Sequence, residues 1–203
     1  MDTALILLIV VVVWQFARVR YQRAHISLLA QHLSNLQLER HMENLTQGYL
    51  RAIHEEGESR QLQVLETYVQ TERIVAGQVH TLANSFQKES QQAASLIALP
   101  FCLPYAERYL PSVTRDFRDL LRIHAAGLRH VVDNEPGYDP KTRAYHLSAE
   151  LYLLQHSCHW FCKSRTVADA RLAARHRLTH QKTLDSVSEL TRSAYMKWLH
   201  RRS

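Results

Sequence analysis

The run from Ala4 to Trp14, Ala-Leu-Ile-Leu-Leu-Ile-Val-Val-Val-Val-Trp, contains no polar side chain and is closed by Arg18, Arg20 and Arg23. No later stretch is comparably hydrophobic, so placing this one constrains the rest of the chain. The run alone is too short to cross a bilayer, which needs ~20 helical residues for ~30 Å of hydrocarbon. Extended from Thr3 to Tyr21 it has one polar residue before the arginines, Gln15. Such a helix is about 28 Å long at 1.5 Å per residue. Trp14 suits an interface, and Arg18 and Arg20 can carry their charges out to the headgroups along apolar stems.

Three other readings compete. A buried parallel strand would need a second strand to pair with. A cleaved signal peptide would carry basic residues first and small residues at its cleavage site. Here Asp2 precedes the run, and the arginines stand where cleavage would fall. A core helix of a soluble fold is the third alternative. The expectation is a single uncleaved transmembrane anchor over residues 1–20, with Leu5, Leu8, Val11 and Trp14 in lipid and Arg18 and Arg20 at its edge. Basic residues following the run, with none before it, predict an outside N-terminus and a cytoplasmic C-terminal region. Three cysteines without paired spacing fit a reducing compartment.

Five Gly and five Pro in 203 residues, in a chain rich in Leu, Ala, Gln, Glu and Arg, predict an all-α fold of long helices. Over residues 21–98 the apolar spacing is that of a coiled-coil stalk. One seam runs through Ile26, Leu29, Leu33 and Leu36, then slips to Leu38, Met42, Leu45 and Tyr49. A second holds Leu62, Leu65, Val69, Ala76, Val79, Ala83 and Phe86, with Glu72 as its one charged member. Self-association into a homo-oligomer is expected through Leu29, Leu33, Leu36, Leu62, Leu65, Val69, Val79 and Phe86. Between the seams lies a single glycine, Gly57. Because helical turns usually carry more breakers, a continuous rod is favoured over a hairpin turning at Gly57.

Residues 99–111 are a Pro-rich apolar linker, expected to pack as a plug against the helices that follow. Its contact with a membrane would require the hairpin. A C-terminal helical bundle domain then spans 112–203, with Ser112 as first N-cap, a turn at Asn134–Pro140, a second helix from about Lys141 to Cys162, and a third from Thr166 onward.

Charge is unevenly spread. Of the net +6, residues 163–203 carry +7, residues 1–23 carry +2, and the remainder −3. The basic last helix is the expected partner-binding surface, through Arg171, Arg175, Arg192, Lys197, Trp198 and Arg201. An amphipathic basic helix suits an acidic protein partner or an anionic lipid surface. Nucleic acid is the weaker alternative, because no nucleic-acid motif accompanies the charge.

The densest reactive cluster is His156-Ser-Cys-His-Trp-Phe-Cys162, in which Cys158, His159 and Cys162 are spaced to share one helix face. Thiolate and imidazole are the ligand types zinc prefers, but a structural site wants four. Cys102, His124, His130 or His146 would have to complete it, so packing is the expected role and metal the alternative. There is no phosphate-binding Gly loop, Gly-x-Ser-x-Gly elbow or Asp-rich metal motif. The sequence therefore predicts no catalytic residue and no cofactor. It predicts a membrane-anchored scaffold, tether or membrane-complex subunit, with a membrane-tethered nucleic-acid-associated protein as the alternative and a metal- or thiol-dependent sensor behind it.

Overall fold

In the computed structural model, which describes residues 2–201, nine helices among the described residues account for nearly all regular structure. Arg202, counted in the basic tail, lies outside them. Helix α1 (Asp2–Leu33) runs unbroken for 32 residues. It is followed by α2 (Leu38–His54), α3 (Glu58–Glu66) and α4 (Val69–Phe86). Two short strands, β1 (Ser95–Ile97) and β2 (Thr114–Asp116), pair antiparallel, with Leu96 opposite Arg115. Then come α5 (Phe117–Val132), α6 (Pro140–Cys162), α7 (Arg165–His176), α8 (His180–Ser186) and α9 (Glu189–His200).

The first half of the body is a hairpin, not the expected rod. Tyr49 meets Glu72 at 2.7 Å, His32 meets Glu89 at 3.0 Å, and His25 Nε2 lies 3.3 Å from the Ser95 carbonyl. As residue numbers fall on one arm they rise on the other, so α1–α2 and α4 run antiparallel. The reversal begins at Gly57, whose φ of +89° is open to glycine and strained for other residues. One such residue was enough, because α3 supplies the rest of the turn as a short helix.

The hairpin also removes the basis for a separate stalk. Leu29, Leu65, Val79 and Phe86 are buried in a core that continues through Phe117, Leu128, Leu151 and Tyr195 to Trp198. Leu33 and Leu36 pack against that core half-buried, and Leu62 and Val69 are also half-buried. The seam was real as an apolar stripe, but its partners are the chain's own helices. A spacing of three and four residues describes any helix with one covered face.

Helix α6 lies antiparallel to α1–α2. Near its C-terminal end Lys163 bonds Gln22, and at its N-terminal end Lys141 bonds Glu58. These contacts lie about 33 Å apart along the helix at 1.5 Å per residue. The linker is the loop of the β1–β2 hairpin, held by Trp160 Nε1 on the Ile97 carbonyl and by Thr166 on the Pro100 carbonyl. Helix α5 begins after Asp116, which caps it through the Arg118 N–H, and not after Ser112. The expected single third helix is divided into three. Arg177, at φ 55°, closes α7, and Thr179 and Ser188 cap the next two through backbone N–H groups.

Candidate functional site

Helix α1 is long and apolar enough to cross a membrane, and no residue of its most apolar 18-residue window is buried in the rest of the chain. Leu5, Leu8 and Val11 are all more than half exposed, and the Arg18 guanidinium lies 5.5 Å from the centre of the Trp14 ring. One turn further on the same helix enters the body. Tyr21, Gln22, His25 and Leu29 are buried, while Arg20 and Arg23 remain outside. Gln22 and Lys163 exchange two hydrogen bonds, from Gln22 Nε2 to the Lys163 carbonyl and from Lys163 Nζ to Gln22 Oε1. The Tyr21 ring stands edge-on to Tyr105 at 5.4 Å, and the His25 ring edge-on to Phe161 at 4.6 Å. The exposed apolar segment and the body are therefore one continuous helix, clamped where they join.

Beside this helix a half-open apolar groove of about 440 Å³ runs between α1–α2 and α6, lined by Ile26, Leu33, Met42, Leu151, Cys158 and Cys162. Arg175 reaches across its mouth toward Glu43 at 3.6 Å. Burial pushes the Cys158 thiol far above its ordinary range and the Cys162 thiol up to about 11. Burial and the neighbouring Arg171 cation push His159 down to about 4. Near neutral pH the cluster thus presents two thiols and a neutral imidazole. His159 Nδ1 also receives a hydrogen bond from Arg171 Nη1 at 2.9 Å. Among the described residues no three His, Cys, Asp or Glu side chains are grouped to hold a metal ion. Of the residues that could have completed such a site, His124 is fully buried elsewhere, with Nε2 on Ser157 Oγ at 2.8 Å.

The basic residues expected to form one surface fall on two helices with different supports. Arg171 and Arg175 lie on α7, which packs on α6; Arg192, Lys197 and Arg201 lie on or just past α9, which packs on α5. Arg201 pairs with Asp119 at 3.6 Å, and Arg192 stands 4.0 Å from Asp185 and Glu189. Lys197 is exposed without an ion pair among the described residues. Trp198 belongs to the core: only 5% exposed, it donates from Nε1 to the Asp116 carbonyl at 2.9 Å. Its place on the basic helix suggested an interface, but its ring packs edge-on against Trp160 of α6 at 5.9 Å.

Two features could not be assembled from the sequence. One is a polar cluster that runs from the buried His156 and Tyr195 to the surface, with His156 Nε2 on Asp169 at 2.8 Å, the His156 and His180 rings 4.5 Å apart, and His180 Nε2 on the Tyr195 hydroxyl at 3.0 Å. The other is Glu150, fully buried, whose Oε1 accepts from the backbone N–H and hydroxyl of Ser188. Both depend on contacts between different helices. Comparison with protein-family models, with curated proteins and with solved structures finds no match for this chain.

Proposed function

We propose that this protein is a non-enzymatic membrane tether, in which α1 anchors a helical body to the bilayer surface and the body binds a protein partner. The observation that carries this reading is the division of one helix. Its N-terminal part, through Phe16, is bare apolar surface, and from Tyr21 onward the same helix is part of a core. A bare apolar face of that length has a large hydrophobic cost in water, at ~25 cal/mol per Å², which lipid removes. A cleaved leader would be cut in extended chain at small residues. Here the helix continues unbroken through Arg18 and Arg20 into buried Gln22. Three arginines following the apolar run favour a cytoplasmic body.

The partner surface in this reading is the exposed cationic set on α7 and α9: Arg171, Arg175, Arg192 and Lys197. An acidic protein face is the complementary partner. The experiment has two arms. Alkaline carbonate washing should leave the full chain in the vesicle pellet, and release into the supernatant would end the tether reading. Cross-linking of the full chain in membranes should capture a partner that Arg171→Glu with Arg175→Glu loses, and unchanged capture would end the assignment of that surface.

A further inference from the structure

We infer that the β1–β2 loop, residues 98–113, is a second membrane contact, seated in the headgroup layer of the leaflet beside which the body lies. The inference rests on the anchor reading and concerns a different part of the chain.

The first argument is length. From Thr3 to Phe16 the helix is clear of the body, and from Ala17 onward the body begins to cover it. Those 14 residues measure about 21 Å, against ~30 Å of hydrocarbon. The helix reaches about 28 Å only when counted to Tyr21. A bilayer crossed by α1 therefore has its boundary near Tyr21, which is already inside the body. There is no spacer between the two.

The second argument is what surrounds Tyr21. Its ring packs on Tyr105, and its hydroxyl donates to Glu107 Oε2 at 3.4 Å. Both partners belong to the loop, which the hairpin has brought back to the level of α1. The same loop leaves Phe101 56%, Tyr109 80% and Leu110 43% exposed, although Pro100 and the neighbouring Leu96 are tied into the body. Tyr109, aromatic with one polar edge, is the kind of side chain that settles at a bilayer interface, and Phe101 and Leu110 add bare apolar surface beside it.

The third argument is charge. Exposed Arg20, Arg23 and Arg108, with half-buried Arg18 and Lys163, stand on the elements that meet at this junction. Against them in the loop stands one carboxylate, Glu107, engaged by Tyr21. Such a collar complements anionic headgroups, at roughly 1 kcal/mol per cation near the surface.

The test uses the full chain in vesicles of phosphatidylcholine and phosphatidylglycerol, with brominated acyl chains as quenchers of tryptophan. Trp14→Phe removes the anchor's own fluorophore, and Trp160 and Trp198 form a buried background. In that background Phe101→Trp and Tyr109→Trp place probes at the loop. Tyr145→Trp places one on the exposed far part of α6, about 27 Å along the helix from Lys163. The loop probes should be quenched about two-fold more than the Tyr145 probe and should emit further to the blue, as interfacial tryptophan does. Equal quenching at all three positions, with Trp14 of the parent chain quenched, would overturn the loop contact and leave the anchor standing. If Trp14 itself escapes quenching, the anchor falls and the loop contact with it.

Discussion

Tyr49, on the outgoing arm of the hairpin, donates its hydroxyl to Glu72 on the returning arm at 2.7 Å, and both are buried. Arg143 of α6 approaches the other carboxylate oxygen at 3.2 Å. Three helices are thereby joined at one carboxylate. Apolar contacts would tolerate a slip along the arms, whereas this carboxylate meets both Tyr49 and Arg143 in one register only.

Removing the hydroxyl tests that role. Tyr49→Phe keeps the ring in its pocket and withdraws a donor from a buried charge. The cost should be about 1–3 kcal/mol, read as a lowered melting temperature of the full chain in detergent. A variant as stable as the parent would show that the ion pair with Arg143 alone holds Glu72 in the core.

How much of this was legible in the sequence differs by feature. The apolar run, the helical class, the turn at Asn134–Pro140 and the punctuation after Leu96 could be read directly, because each depends on residues close together in sequence. The hairpin could not. Leu65, Val79 and Phe86 have the same spacing whether they face a second copy or α5 and α6 of their own chain. Glu72 reads only as the one charged member of a seam because its partners, Tyr49 and Arg143, lie 23 and 71 positions away. Trp198 misled for the same reason: its basic neighbours were visible in the sequence and the Asp116 carbonyl was not.

Gly57 carries the reversal with a single residue. Its φ of +89° is strained for any residue with a Cβ, although the space around it is open. With ψ at 139° this is positive-φ extended backbone, so Gly57→Ala should destabilise through backbone strain alone, by about 1–3 kcal/mol. Gly77, in the middle of α4 with open space and no positive φ, is the control. Gly77→Ala should be neutral or stabilising. If the two substitutions have equal effects in thermal unfolding, Gly57 is not the turn.

The groove cysteines should be poor nucleophiles. A thiol held at about 11, as at Cys162, has roughly 100-fold less thiolate at pH 8 than an ordinary cysteine. Alkylation of the folded chain by iodoacetamide should be slowed by a comparable factor and should quicken as pH is raised toward 10. Mass mapping of Cys158 and Cys162 measures it, with the unfolded chain as reference. Rates equal to those of the unfolded chain would mean that the groove wall does not bury these thiols.

Stability should depend on pH through Glu150 and His124, with opposite signs. Burial raises the Glu150 carboxyl from 4.5 to about 7, its hydrogen bonds from Ser188 and Thr191 only partly offsetting the shift. A raised folded value means that the neutral form is the one the core accommodates. Stability from this group is then fully present below pH 4.5 and is lost as pH rises through about 7. Burial, with the neighbouring His156 as second cause, lowers His124 from 6.5 to about 3, so its contribution is present above pH 6.5 and falls as pH drops toward 3. Between pH 4.5 and 6.5 the two trends oppose each other, and above it Glu150 acts alone. Glu150→Gln keeps the shape and cannot ionise. The parent chain should therefore lose stability relative to this variant between pH 5 and pH 8, by up to about 3 kcal/mol. Parallel melting curves of parent and variant across that range would show that Glu150 titrates as an ordinary carboxyl, reached by water.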